Sequence, residues 1–212
     1  MEGTNFKHIR KVTNANRNVI LNLVKLIRQK STTYYNGDEI DANFEMLTEQ
    51  HEITDKLFPI KTKGDGNCFF YSISKVLFGS DIQYKNIRLG VIFVLLEYEK
   101  YFKRVIKVSF GSDEFSKIVQ SVAKDKNWAN EYMLLATAIV LNRPLICLTI
   151  EKKCVFSHEY CVNKKQKNNQ QIHVALKNFH FVPLLPKKEL KVHISAKQNQ
   201  FEKMKLYKIK LY

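Results

Sequence analysis

The segment Gly64-Asp-Gly-Asn-Cys68 combines a nucleophile with a flexible turn. Two glycines let the backbone adopt turn conformations in which successive N–H groups point inward, and such a nest can bind an anion. Cys68 also begins an apolar segment with helical spacing, so its thiol lies at the positive end of a helix dipole, which favours the thiolate. A nucleophile beside backbone donors suits acyl transfer. The alternative is an inert buried thiol, the ordinary fate of a free cysteine.

Other uses of a glycine-rich loop fit this segment less well. A dinucleotide-binding fingerprint needs a third glycine where Phe69 stands, and no Gly-Lys-Ser/Thr follows for a phosphate-binding P-loop. Asp65 either caps the turn, as aspartate often does, or takes part in the chemistry.

A cysteine nucleophile also needs a general base, and six histidines are available. They are His8, His51, His158, His173, His180 and His193. His180 begins a short apolar strand near the end of the predicted core, from which a sheet can present an imidazole to a helix terminus. His173, on the preceding predicted strand, is the rival, and spacing favours His180 only slightly.

Cysteine and histidine occur together again at Cys147, Cys154, His158, Cys161 and His173. Their spacing lacks the Cys-x2-Cys pair typical of structural zinc, so we expect neither a metal nor another cofactor. Four cysteines in 212 residues do not form a disulfide framework.

Apolar periodicity predicts helices first and strands later. Helices are expected over 68–78, over about 84–105, from near Asp113, and from Glu131 to Leu141. After Pro144, strands are expected at 145–150, around 154–156, and in a hairpin formed by 172–176 and 180–185. This order predicts an α+β fold in which helices pack on a small, mainly antiparallel sheet.

Charge and composition divide the chain into three parts. Residues 1–57 form a predicted helical extension with a basic first half and an acidic second half. The sequence does not decide whether this extension packs on itself or on the main body. Residues 58–186 form the predicted core domain, and residues 187–212 form a basic tail with eight lysines.

The net charge of +15 suggests that the basic tail binds a nucleic acid or another anionic surface. However, only six of the 35 basic residues are arginine, which phosphate-binding proteins favour for bidentate contacts. A solvated, lysine-rich surface is therefore the simpler explanation.

The longest apolar run, residues 90–96, is far shorter than the roughly 20 residues that a membrane-spanning helix needs. The first residues are polar and do not resemble a secretory signal. We therefore expect an intracellular protein, in the cytoplasm or in the nucleus.

Three parts of the sequence resemble the ovarian tumour (OTU) family of cysteine proteases, which remove ubiquitin. They are residues 65–70 (DGNCFF), residues 128–131 (WANE) followed by 142–145 (NRPL), and residues 178–184 (NFHFVPL). The resemblance covers residues 58–186 and implies a papain-type α+β fold. It also implies that the substrates are isopeptide bonds of ubiquitin or a ubiquitin-like modifier, and that the partners are ubiquitin, polyubiquitin chains and ubiquitinated proteins.

The same resemblance assigns roles to single residues. It makes Cys68 the nucleophile and His180 the general base, in a mechanism of the papain type. It places Asp65 and the backbone around Gly66, Asn67 and Cys68 in the region that stabilises the oxyanion.

One position departs from the family pattern. Many members have Asp or Asn two residues after the histidine to orient its ring, whereas this chain has Val182. Residues two apart on a strand share a face, so Asn178 is one substitute, while Asp65 or a bare Cys-His dyad are others. Two alternatives to an active protease stay open: an inactive ubiquitin-binding OTU module and a basic nucleic-acid-binding protein.

Overall fold

The computed structural model describes residues 5–53, 56–110, 114–157 and 171–187. The helices in these ranges are α1 (Phe6–Ala15), α2 (Arg17–Arg28), a 3-10 turn (Ala42–Phe44), α3 (Glu45–Gln50), α4 (Cys68–Phe78), α5 (Tyr84–Glu97), α6 (Glu99–Phe110), α7 (Glu114–Ala123) and α8 (Glu131–Leu141). The strands are β1 (Leu57–Pro59), β2 (Leu145–Leu148), β3 (Lys153–Phe156), β4 (Ile172–Lys177) and β5 (His180–Pro186).

The five strands form one mixed sheet in the order β1-β5-β4-β2-β3. β2 and β4 are parallel, and the other three neighbouring pairs are antiparallel. The prediction of an α+β fold with a small, mainly antiparallel sheet is therefore confirmed. β4 and β5 form the expected hairpin, joined by a tight turn at Asn178 and Phe179, which both have positive φ.

The main core lies between the sheet and the helices on one of its faces. Helix α4 packs across β5, and α5 lies behind α4 in contact with α2, α7 and α8. Every residue from Asn86 to Leu95 in α5 is buried, because neighbours surround the helix on all sides.

The long helix expected over 84–105 is two helices. Helix α5 ends at Glu97, and Tyr98 leaves the helical conformation with ψ at 32° before α6 begins at Glu99. Glu99 sits in the first turn of α6, where an acidic side chain favours a helix start. It also forms ion pairs with Arg10 (3.0 Å) and Lys103 (2.7 Å).

Helices α1 and α2 pack on the main body, a point that the sequence had left undecided. Ile9 of α1 and Ile20, Leu23 and Ile27 of α2 are almost completely buried in the same core as α4 and α5. The expected division between residues 57 and 58 falls inside β1, which pairs with β5.

A second apolar cluster covers the other face of the sheet. Phe44 and Leu47, from the 3-10 turn and α3, pack there against Ile146, Leu148, Ala175, Val182 and Leu184. The N-terminal segment thus seals the face of β5 that carries Val182.

The basic tail lies outside the described residues from residue 188 onward, as do His158, Cys161 and His193. No helix in the described part of the chain is long and apolar enough to cross a membrane.

Candidate active site

Cys68 is the first residue of α4, and only 6% of its surface is exposed. Its Sγ accepts a hydrogen bond from the backbone N–H of Phe181, at 3.5 Å. Because His180 directly precedes Phe181, this bond fixes the start of β5 beside the N-terminus of α4. The structure therefore brings together the two residues that the sequence singled out as nucleophile and base.

The thiol of Cys68 is less acidic than its place at a helix terminus suggests. Burial raises its pKa, the backbone N–H groups of Phe181, Phe69 and Cys68 lower it, and the nearby charge of Asp65 raises it. Burial is the largest of these effects, so the net shift is upward, whereas the sequence led us to expect a stabilised thiolate. The raised pKa favours the neutral thiol over the thiolate.

His180 is half-buried at the start of β5. Its Nε2 lies 3.4 Å from Oγ1 of Thr62, and its ring makes an edge contact with Phe44 at 6.1 Å between centroids. Burial lowers the pKa of His180, while the negative charge of Asp41 raises it. At neutral pH the imidazole is therefore uncharged and able to accept the thiol proton.

Asp41 was not a candidate from the sequence, yet it lies at this site. It is only 6% exposed, and it lines a pocket of about 310 Å³ together with Asn43, Phe44, Lys177, Asn178 and His180. Its Oδ1 accepts hydrogen bonds from the backbone and side-chain nitrogens of Asn43, each at 3.1 Å. These bonds hold the carboxylate in the pocket that His180 also lines.

Asn178 lines the same pocket but does not orient the imidazole in the way its spacing suggested. It has φ at +50° in the turn between β4 and β5, so the rule that residues two apart share a strand face does not apply to it. Among the described residues, its side chain makes no hydrogen bond to His180.

The rival histidine, His173, lies away from the thiol. It sits on β4 opposite Ile146 of β2, whereas Cys68 contacts Phe181 at the other end of the β4–β5 hairpin. Burial, with a smaller contribution from the charge of Lys153, lowers the pKa of His173 to about 4.

Asp65 organises the loop before the nucleophile. Its Oδ1 accepts from the backbone N–H of Asn67 at 3.1 Å, and its Oδ2 accepts from the hydroxyl of Tyr71 at 3.1 Å. Both oxygens are thus bonded within the loop and the first turn of α4. Asp65 is therefore placed to shape the loop and not to orient His180.

Gly66 and Asn67 form the buried base of this loop. Gly66 has φ at +55°, and a Cβ there would overlap the carbonyl oxygen of Lys126, so only glycine fits. Asn67 is completely buried, and its Oδ1 accepts from Arg88 (2.8 Å) and from the N–H of Lys126 (3.1 Å). The side chain of Asn67 therefore anchors the loop, and the oxyanion role that the resemblance implies for this position concerns its backbone.

Arg88, on α5, is a second residue that the sequence did not single out. Its guanidinium is buried and lies 4.3 Å from the ring centroid of Phe70. It donates hydrogen bonds to five oxygens: the carbonyls of Gly66 (3.4 Å), Val122 (2.7 Å), Lys124 (2.8 Å) and Asn127 (2.8 Å), and Oδ1 of Asn67. Arg88 thus fastens the nucleophile loop to the segment between α7 and α8.

Two exposed aromatic side chains stand next to the site. Trp128 is 54% exposed and Phe179 is 74% exposed, and their rings meet edge to face at 5.6 Å. Phe181, in contrast, is buried against Phe69 at 5.1 Å and belongs to the core. In the described part of the chain, no group of three or more metal-ligating side chains comes together.

The loop, the cysteine and the histidine described above all lie within a segment that matches a protein-family model. The model of the family described as "OTU-like cysteine protease" matches residues 63–181, more than half of the chain, including Cys68, Arg88 and His180. The chain therefore belongs to the OTU-like cysteine proteases. No curated protein matches the sequence significantly.

Two solved structures, the first two below, show the same fold at low sequence identity. The OTU domain of OTUD1 is 17% identical with a TM-score of 0.52, and the match covers 68% of this chain and 91% of that domain. The viral OTU domain protease from Taggert virus is 14% identical with a TM-score of 0.52, covering 66% of this chain and 86% of the viral one. The Hazara virus OTU, solved bound to ubiquitin, is 18% identical with a TM-score of 0.45, covering 65% and 86%.

Proposed function

We propose that this protein is a deubiquitinase that hydrolyses isopeptide bonds at the C-terminal glycine of ubiquitin, with Cys68 as nucleophile and His180 as general base. The hydrogen bond from Phe181 to the Cys68 thiol is the observation that supports this most directly, because it sets the imidazole-bearing strand against the nucleophile. Membership of the OTU-like cysteine proteases supports the class of substrate.

The reaction begins from a neutral pair. The raised pKa of the thiol and the lowered pKa of the imidazole both favour the neutral pair over a thiolate–imidazolium ion pair. His180 removes the thiol proton as Sγ attacks the carbonyl carbon, and the backbone N–H groups at the start of α4 stabilise the oxyanion. The imidazolium then protonates the leaving lysine amine, and water, deprotonated by His180, releases the acyl-enzyme.

Asp41 stabilises the imidazolium formed during this cycle. Its carboxylate is held in place by Asn43 and raises the pKa of His180 against the effect of burial. It therefore takes over the electrostatic part of the role that an acid at position 182 has in many family members. Trp128 and Phe179 offer an apolar surface on which the substrate segment next to the scissile bond can lie.

The test is labelling with a ubiquitin that carries a thiol-reactive group at its C-terminus, read by intact mass. We expect one adduct in wild type and in Cys147→Ala, a control that removes another buried free cysteine. We expect none in Cys68→Ala and strong slowing in His180→Ala. Absence of any adduct in folded wild-type protein would refute the proposed hydrolysis of ubiquitin conjugates. A panel of ubiquitin-like probes would then separate a protease for another modifier from an inactive binding module.

A further inference from the structure

Thr62 lies between β1 and the nucleophile loop, where its hydroxyl meets two groups of the active-site strand. Its Oγ1 donates a hydrogen bond to the carbonyl of Phe181 at 2.7 Å and lies 3.4 Å from Nε2 of His180. A threonine hydroxyl has a single proton, and here that proton is directed to the carbonyl. The oxygen therefore faces the imidazole with its lone pairs and can only accept from Nε2.

This arrangement selects one tautomer of the neutral imidazole. If Nε2 donates to Thr62, the proton resides on Nε2 and the lone pair resides on Nδ1. The edge of the ring formed by Nδ1 and Cε1 faces Gly64, since both atoms lie 3.9 Å from the position that a Cβ would take there. Nδ1 is thus the nitrogen that faces the loop leading into Cys68.

We propose that Thr62 is the positioning residue for His180: its hydroxyl holds the ring and keeps the proton on Nε2, so that Nδ1 is free to take the thiol proton. Val182 cannot do this, because its side chain has no hydrogen-bonding atom, and it is buried among apolar side chains. The charge of Asp41 then stabilises the imidazolium of His180, and the hydroxyl of Thr62 orients its ring. In many family members one residue at the position of Val182 has both functions. This inference rests on the roles of Cys68 and His180 in the proposed function.

The experiment compares Thr62→Val, which removes the hydroxyl at similar volume, with Thr62→Ser, which keeps it. Thr33→Val is the matched control, since Thr33 is also half-buried and donates to backbone carbonyls, those of Lys75 and Val76. Full-length proteins are labelled with ¹⁵N-histidine, and the ring nitrogen shifts of His180 report its tautomer at a pH where it is neutral. The rate of Cys68 alkylation by iodoacetamide is measured across pH in the same variants.

We expect wild type, Thr62→Ser and Thr33→Val to show the proton on Nε2. We expect Thr62→Val to show a mixture of tautomers and an alkylation plateau about tenfold lower, since a misplaced base loses part of a contribution of roughly 10²- to 10⁴-fold. Unchanged ring shifts and rates in Thr62→Val would overturn the proposal. Equal loss in the serine and valine variants, with a lowered melting temperature, would also overturn it by showing that Thr62 acts only on the fold.

These readouts separate the proposal from the function on which it rests. Iodoacetamide needs no ubiquitin, so a wrong modifier would leave the comparison of the Thr62 variants intact. If His180→Ala is alkylated as fast as wild type, the base assignment in the proposed function fails, whereas the ring shifts still report what Thr62 does to the imidazole.

Discussion

Position 182 shows how one residue's surroundings decide what it can do. Val182 is fully buried in the apolar cluster with Phe44 and Leu184, and a carboxylate there would lose its hydration. The segment that covers this face of the sheet also carries Asp41, three residues before Phe44. The chain thus keeps a valine on the strand and supplies a carboxylate from the segment packed over it.

The charge of Asp41 can be tested through the pH dependence of alkylation. His180 accepts the thiol proton only when neutral, so the acidic limb of the rate follows its pKa. Because Asp41 raises that pKa, Asp41→Asn should move the acidic limb to lower pH and lower the plateau, since a weaker base remains. Iodoacetamide alkylation from pH 4 to 9 measures both.

Asp38→Asn is the matched control for this experiment. Asp38 belongs to the same N-terminal segment, but it faces Lys75 at 3.9 Å and a different pocket. Its variant should keep the wild-type profile. An acidic limb that stays in place or moves to higher pH in Asp41→Asn would exclude the electrostatic role of Asp41.

At the scale of elements, the buried guanidinium of Arg88 connects α5 to the nucleophile loop and to the segment after α7. Four carbonyl oxygens would lose this donor on substitution, whereas Oδ1 of Asn67 would keep the N–H of Lys126. Unsatisfied buried acceptors cost about 1–3 kcal/mol each before relaxation. We expect Arg88→Met to lower the free energy of unfolding by about 2–4 kcal/mol and to slow alkylation of Cys68. Chemical denaturation and the alkylation rate measure the two effects.

Arg143 provides the contrasting case for the same substitution. It is equally buried, none of its three guanidinium nitrogens has a hydrogen-bond partner among the described residues, and burial lowers its pKa to about 10. Replacing an unpaired buried charge by an apolar side chain removes a desolvation cost, so Arg143→Met should be neutral or stabilising. Similar destabilisation by both substitutions would show that the hydrogen bonds of Arg88 to the loop do not account for its contribution to stability.

The sequence predicts the secondary-structure elements, and it points to the proposed nucleophile and base more clearly than to the residues that support them. Cys68 follows a recognisable turn and His180 begins a periodic strand, so local pattern points to both. Asp41 is one of seven acidic residues in 31–57, and Arg88 is one of several polar residues near the start of a helix whose later part is apolar. Their partners are distant in the chain, and only the packing of α5 and of the N-terminal segment brings them to the site.

At the scale of the whole molecule, the N-terminal helices belong to the catalytic fold. Leu23 of α2 is buried in the same core as α4 and α5, so truncating its side chain should destabilise the whole fold and not only the N-terminal helices. We expect Leu23→Ala to destabilise the protein by about 2–5 kcal/mol and to keep one cooperative unfolding transition. Circular dichroism and Cys68 accessibility should change together on heating. Lys25→Ala, at an exposed position on the same helix, should change neither, and two separate transitions in Leu23→Ala would contradict a shared core.

The acid stability of the fold follows from a histidine that takes no part in the chemistry. Burial lowers the pKa of His173 to about 4 from an ordinary value of 6.5, so between these values the unfolded chain binds a proton that the folded chain does not. Stability should therefore fall as the pH falls from 6.5 towards 4, by up to roughly 3 kcal/mol from this group. His173→Gln removes this titration and should flatten the fall in the free energy of unfolding between pH 6.5 and 4. The smaller fall that remains comes from His180, whose pKa is also lowered. His8→Gln, at an exposed position, should leave the wild-type slope. Urea denaturation at several pH values measures this pH dependence of the free energy of unfolding. An unchanged slope in His173→Gln would show that groups other than His173 cause the acid sensitivity.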